Sequence, residues 1–417
     1  LSAGIENDES TMKPALLSDH VSAGRMSIGI VQEAPTQFDE PLYRYLAAET
    51  ALDFVVYYFG AASSTTNEDP EIGRRVGWTT SGDRGYSAVF SQGAKPLQFG
   101  RRVIQAGHDL IVISGYNRPH ALMTALLARI NGTPAGLRSD NVLPRDGGRG
   151  RHWFIKSLLY PILYKLYTTG HPIGRQAGEY LAHFGFRAES LFIFPYGVDH
   201  RWFARESSAA RAEIERLRAS WGLPAKGQVV CGVMKFSERE DPITLVRAFK
   251  DAREQIPNLA LLLIGDGPLK KDVESAAGDL LGKSIVLPGY QEYAKLPSAY
   301  AASDLFVHTA RGAWEVSVGE ALACGLPVIT SDAVGSAQEL IVPNQMGYTF
   351  KHQDAGDLAM AIVRALRDPK LIARAREQGL SSLEPWDYPA TAERLTAAVQ
   401  YAKRQRKSAF ATATVQR

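Results

Sequence analysis

Residues 312–329 read Gly312-Ala313-Trp314-Glu315-Val316-Ser317-Val318-Gly319-Glu320-Ala321-Leu322-Ala323-Cys324-Gly325-Leu326-Pro327-Val328-Ile329. The pattern predicts a loop, a short helix over 316–324, and an apolar strand opened by Pro327. Gly325 stands where a helix stops. A helix start offers unpaired N–H groups and a partial positive charge, both suited to a phosphate. Glu320 falls about one helical turn inside. A carboxylate there can accept hydrogen bonds from a ribose diol.

Upstream of this stretch the chain alternates strand and helix. Strands are expected at 229–233, 259–264, 285–287 and 305–308, with helices at 242–252, 269–277 and 294–302 between them. Downstream, a strand at 327–330 and a helix at 355–366 complete the series. The first half repeats the pattern: strands at 26–32, 52–58, 110–114 and 134–138, with helices at 41–52, 96–106 and 121–130. Such βαβα series imply parallel sheets covered on both faces. A length of 417 residues exceeds one typical core, so two Rossmann-like halves joined near 195–202 are expected. The interval 61–90 is Gly-, Ser- and Asp-rich and reads as a long loop or a small insertion.

Three further segments carry candidate chemistry. Gly265-Asp266-Gly267-Pro268 follows a strand and precedes a helix, where glycine permits a tight turn or the close approach of a ligand. Lys235, Arg239 and Glu240 follow the strand 229–233. The two cations either hold phosphate or are plain surface charges. Tyr290 and Gln291 follow the strand 285–287, available for base contact or for packing.

In this order, the segments resemble the retaining family 4 glycosyltransferases of the GT-B fold. The second Glu of that family's Glu-x7-Glu motif falls on Glu320, and Ala321 to Pro327 continue the match. The motif's first Glu falls on Gly312, and a Gly expected three residues later is Glu315. Lys235 takes one of two family cation positions. The other is Glu240, a carboxylate expected to repel a diphosphate, with Arg239 one residue earlier as a substitute.

The resemblance implies an α/β GT-B architecture: two Rossmann-like domains facing across a cleft, with a C-terminal helix crossing back to the first. The expected division is a disordered leader over 1–25, an acceptor domain over 26–198 completed by the helix 388–404, a donor domain over 199–387, and a basic tail over 405–417. It implies an enzyme that moves a hexose from a nucleoside diphosphate sugar, UDP favoured over GDP, to an acceptor hydroxyl without a bound metal. Lys235 and Arg239 would neutralise the diphosphate, and the N–H groups of Val316 and Ser317 would cradle it. Glu320 would hold the ribose, and Tyr290 or Gln291 the base. Gly265, Gly312, Ala313 and Trp314 would line the donor pocket. Asp140, after the strand 134–138, takes the place of an Asp in the family and would either contact a substrate hydroxyl or cap its loop. The acceptor would be a glycan, a lipid-linked molecule or a small molecule. Two other readings stay open: a nucleotide-sugar-binding protein without turnover, and a sugar-nucleotide epimerase, which would need an acid–base pair that the sequence does not display.

The stretch 148–167 mixes Arg149, Arg151, Lys156 and Lys165 with Trp153, Phe154, Ile155, Leu158, Leu159, Tyr160, Ile162 and Leu163. Pro161 would interrupt or kink a helix here. The segment is either a helix buried against the sheet or a peripheral membrane contact. A helix is expected over 389–404, followed by a frayed basic tail.

Composition narrows the rest. Hydrophobic residues at 45% and charged residues at 22% are ordinary for a folded soluble protein; a net charge of +3 implies little about partners by itself, and no nucleic-acid partner is expected. Cys231 and Cys324 are far apart and form no zinc or disulfide framework, so buried reduced thiols in a cytoplasmic protein are expected. His-x-Glu-x-x-His, Gly-x-Ser-x-Gly and Walker A patterns are missing. So is a strand-following Gly-x-Gly-x-x-Gly, which counts against a nicotinamide oxidoreductase.

Overall fold

The structure is a computed structural model describing residues 25–60, 67–69, 74–76, 84–144, 151–312 and 314–415. The expectations for the leader (apart from Arg25), for Ala313, for residues 148–150 and for most of 61–83 lie outside the described residues.

The first domain is built on a parallel sheet of β1 (Ser27–Gln32), β2 (Asp53–Tyr58), β5 (Ala88–Phe90), β6 (Leu110–Ser114), β7 (Ala135–Ser139) and β8 (Thr169–Pro172). A hairpin of β3 (Asn67–Asp69) and β4 (Arg74–Val76) stands apart from it. The strand order is β5-β2-β1-β6-β7-β8. The second sheet contains β9 (Gln228–Val233), β10 (Leu259–Ile264), β11 (Ile285–Val286), β12 (Leu305–His308), β13 (Val328–Ser331) and β14 (Gly347–Phe350), in the order β11-β10-β9-β12-β13-β14. Both sheets share one Rossmann-like topology, and the strand order reverses beside β1 in the first and beside β9 in the second. Ligands in such sheets bind outside the carboxyl ends of the strands at that reversal.

Each sheet is buried on both faces, and period-two side-chain alternation explains the near-continuous apolar strands. In the second domain, Val229, Cys231, Leu262 and Phe306 enter one core. Val230, Leu261, Leu263 and Val307 enter the other. In the first, Val31, Val55 and Ile111 oppose Ile30, Val56 and Val112.

Differences from the sequence expectations have local causes. The interval 61–90 contains both the hairpin and the sheet-edge strand β5, too short for a periodic signal. The C-terminal helix runs Tyr388–Val415, so the expected frayed tail is helical through Val415. This helix crosses to the first domain, where Ala392, Leu395, Ala398, Val399 and Ala402 pack with Ile28, Leu42 and Phe54. The helix Arg151–Leu163 continues past Pro161 and passes into a 3-10 turn, Tyr164–Leu166. Both cysteines are free and buried. Among the described residues no helix is long and apolar enough to cross a membrane.

A buried ion pair ties the start of the first domain to its end. Arg138 donates from Nη1 and Nη2 to Asp39 at 3.1 and 3.0 Å. Its Nε and Nη2 also donate to the carbonyls of Phe194, at 3.1 Å, and Pro195, at 2.6 Å. The chain leaving the first domain is therefore pinned where it turns toward the second.

Candidate functional site

A cavity of about 560 Å³ lies in the cleft between the two domains. Gln37, Phe38, Asp140, Ile173 and Tyr196 close it from the first domain. The second domain supplies the loops after β9, β10, β11 and β12 and the start of the helix Val316–Ala323. Lys235, Arg239, Gly265, Tyr290, Gln291, Gly312, Trp314, Val316, Ser317, Glu320 and Asp140 all line this one space. Lys235 follows β9 and His308 ends β12, so the cavity sits at the topological reversal of the second sheet.

The helix Val316–Ala323 begins at the cavity, with Glu315 at its N-cap. Its first-turn N–H groups have no partner one turn earlier within the helix, which leaves them suited to an anion. Gly325, at φ +75°, ends it as expected. Glu320 is buried, and the Tyr300 hydroxyl donates to its Oε2 at 2.7 Å. Burial pushes the Glu320 carboxyl up to about 7, although the hydroxyls of Tyr300 and Tyr293 act in the opposite direction.

Glu240 is not a bare repelling charge. It is 4% exposed, accepts a 2.5 Å hydrogen bond from the Lys235 backbone N–H, and pairs with the Arg239 guanidinium. Burial raises its carboxyl from the ordinary value. Arg239 also donates to Glu315 Oε1 at 2.9 Å, and the other oxygen of Glu315 lies 3.2 Å from His308 Nε2. Burial raises the Glu315 carboxyl, but His308 and Arg239 outweigh it and hold the group below its usual value. His308 shifts upward, because the adjacent carboxylates outweigh its burial. Glu240, Arg239, Glu315 and His308 thus form one chain of alternating charge along the cavity wall.

The loop that carries Gly312 is held from two sides. Arg311 N–H donates to the Arg239 carbonyl at 3.1 Å, and Gly312 exchanges backbone hydrogen bonds with Ala333 and Gly335 at 3.2 and 2.8 Å. Gly335 therefore helps set the cavity loop. Gly265 lines the cavity, but its demand for glycine comes from the protein's own backbone: at φ +156°, a Cβ would stand 1.8 Å from the Met234 carbonyl oxygen. Gln291 donates to the Pro288 carbonyl at 3.0 Å, and Asp140 accepts from the Tyr196 hydroxyl at 2.9 Å. Trp314 meets Trp386 at 4.6 Å between ring centroids, with the planes tilted by 45°, and a Cβ added to Gly174 of the first domain would stand 2.9 Å from its ring.

Sequence reasoning missed His308, Arg311, Tyr293 and Tyr196, which share the cavity. His308 and Arg311 stood within reach, at the end of a recognised strand and in the loop just before Gly312. Phe38 meets Tyr293 edge-on across the cleft at 6.3 Å, a contact that no local pattern signals. Among the described residues no cluster of His, Cys, Asp and Glu has the makings of a metal site.

Two Rossmann-like domains with a phosphate-suited helix start and a buried carboxylate in the cleft define the GT-B class. Residues 213–381, most of the second domain, match the family "Glycosyl transferases group 1". The chain is 29% identical over 219 residues to a GDP-mannose-dependent alpha-(1-6)-phosphatidylinositol monomannoside mannosyltransferase of Mycolicibacterium smegmatis, covering 49% of this chain and 55% of that protein. It is 31% identical over 190 residues to the Mycobacterium tuberculosis protein of the same name, covering 43% and 48%. The chain spans about half the length of these curated relatives. Among solved structures, a glycosyltransferase from Rickettsia africae superposes with a TM-score of 0.70 at 12% identity, covering 91% of this chain and 99% of that one. Anabaena HepE in complex with UDP and glucose superposes with a TM-score of 0.65 at 18% identity, covering 90% and 99%. At such identities these structures establish the shared fold.

Proposed function

We propose that this protein is a retaining glycosyltransferase that moves a hexose from a nucleoside diphosphate sugar to an acceptor hydroxyl. The observation that carries this reading is Glu320: a buried carboxylate one turn inside a helix whose start shares the cavity with Lys235 and Arg239. That set suits the ribose and diphosphate of one nucleotide. Lys235, Arg239 and Arg311 face the diphosphate, together with the N–H groups of Val316 and Ser317. Glu320 accepts from the ribose, and Tyr290 and Gln291 flank the base. Asp140 and Tyr196 face the acceptor from the first domain. In the transfer, the bond from the anomeric carbon to the phosphate oxygen breaks and the acceptor oxygen bonds to that carbon on the same face. The acceptor's proton leaves with the diphosphate. Cations set around the departing phosphate lower the barrier, and one such group is worth about two to three decades of rate.

The mannosyltransferase relatives support a GDP-sugar by their names, and the HepE complex supports a UDP-sugar by its contents. Calorimetric titration with UDP and with GDP should show saturable binding of one of them, weakened by Glu320→Ala. No binding of either would overturn the reading. A panel of UDP- and GDP-hexoses with product analysis then identifies the donor.

A second reading, binding without turnover, is favoured by Arg239, whose charge is shared between Glu240 and Glu315. Robust transfer by the unaltered protein excludes it.

A further inference from the structure

The helix Arg151–Leu163 is apolar on two opposite faces. On its inner face, Trp153, Tyr160 and Leu163 pack against the first domain's core. Trp153 and Tyr160 both meet the Phe184 ring, at 5.6 and 5.3 Å. On its outer face Phe154, Ile155, Leu158, Leu159 and Ile162 are 71, 41, 62, 52 and 63% exposed. At about 100° per residue these five fall within a single sector of about 140°. The helix is therefore only half buried, which corrects the reading of it as buried against the sheet. Scattered exposed apolar side chains are ordinary, but five large ones aligned on one helix face mark a contact surface.

We propose that this face is a docking surface for an anionic lipid bilayer. Charge selects that occupant. Between Leu110 and Gly178 the chain carries nine Lys and Arg against two Asp and Glu, whereas the whole chain has 47 against 44. The segment thus carries a cationic excess within a nearly balanced protein. Arg138 is buried in its pair with Asp39, but Arg151 at the start of the helix and Lys165 just beyond its end are exposed. Arg129, exposed, ends the helix Pro119–Ile130, which packs beside the 3-10 turn and shows Leu122, Leu126 and Ile130 to solvent at successive turns. An apolar stripe flanked by cations is the pattern of a helix lying in the interface of an anionic membrane. A second copy of this chain fits less well, because self-pairing would bring two basic rims together.

The placement gives the contact a use. The helix follows β7 and Asp140 in the chain, so it begins on the side of the sheet that faces the cleft. Docking it would set the first domain's rim of the cleft beside the lipid surface. The inference does not rest on the transfer reading, since lipid capture requires no nucleotide.

The test is flotation of the full chain with phosphatidylcholine vesicles, with and without phosphatidylglycerol, at low and raised salt. Capture is expected on the anionic vesicles, falling with salt. Leu158→Ser combined with Ile162→Ser should lower the bound fraction on the order of tenfold. Arg151→Glu with Lys165→Glu should abolish the preference for phosphatidylglycerol. These positions are on the outer surface, so thermal melts should match the parent chain. Phe154→Ser is a second stripe variant should the double substitution lower the melt. Failure of the intact chain to float with anionic vesicles overturns the proposal, as does equal capture of a folded stripe variant. A dimer in sedimentation velocity that the stripe substitutions disperse would assign the face to a second copy and overturn it equally.

Discussion

The Glu315 carboxylate occupies the space that a side chain on Gly312 would need: a Cβ built at Gly312 stands 2.7 Å from Glu315 Oε1. The carboxylate that the family motif places at the first position is here delivered from three residues later. Gly312→Glu alone should therefore not repair the motif. It should cost about 1–3 kcal/mol through overpacking and weaken nucleotide binding. Adding Glu315→Gly should recover much of the stability. Thermal unfolding of the single and double variants, with titration of UDP and GDP, checks this. Equal stability of the two variants would refute the exchange.

Arg239 stands between two buried carboxylates, and its removal leaves Glu315 with His308 alone and Glu240 with the Lys235 N–H alone. With its side chain 35% exposed, Arg239→Ala should cost about 2–3 kcal/mol, toward the low end for a broken buried pair. The loss should shrink at acid pH, where Glu240, already shifted upward, takes a proton and no longer needs its partner. Glu240→Lys, which restores the family's cation by sequence, should destabilise as well, since it removes the acceptor of the Lys235 N–H and sets a second cation beside Arg239. Denaturant melts at pH 5 and pH 8 separate these outcomes from a pH-independent packing loss.

Glu320 should couple nucleotide affinity to pH. Its folded pKa of about 7 lies above the ordinary 4.5. Its contribution to folding is thus full below 4.5 and is lost as pH rises through about 7. Ribose hydroxyls donate to the ionised form, so a bound nucleotide favours proton release. Affinity should climb as pH rises through 7, and Glu320→Gln should flatten that part of the profile. An identical slope in the variant would remove Glu320 from the ribose site.

Gly174 keeps the domains close. A Cβ there would meet Glu339 Oε1 at 2.7 Å and the Trp314 ring at 2.9 Å. The same Glu339 oxygen accepts from the Arg175 N–H at 2.8 Å, binding the second domain to the first. Gly174→Leu should force this contact apart and shift Trp314 in the cavity wall. Small-angle scattering should then report a larger radius of gyration, and nucleotide affinity should fall. An unchanged scattering profile would show that the contact yields locally.

The legible parts of this protein were those written in neighbouring residues. The helix Ala355–Leu366 falls on the predicted bounds, and Val316–Ala323 ends one residue short of them, because apolar spacing and stop signals act locally. The shared cavity was foreshadowed by the order of segments, since each follows a strand of one parallel sheet and must emerge at the same end. The electrostatics were not legible. Glu240 reads as an open negative charge until Arg239 and the Lys235 N–H are seen to enclose it. Arg138 and Asp39 are 99 positions apart, and nothing local marks their pairing. For Arg151–Leu163 the sequence left burial and membrane contact both open, because a helix apolar on two sides has almost no directional signature.

The crossing helix has a consequence for biosynthesis. Tyr388–Val415 leaves the ribosome after the whole second domain, yet Leu395, Ala398 and Val399 belong to the core that holds β1 and β2, which are made long before it. One face of the first domain must therefore wait, apolar and uncovered, while the whole second domain is synthesised. Its completion is a late, long-range closure of the chain, which exposes the nascent first domain to chaperone capture until that helix emerges.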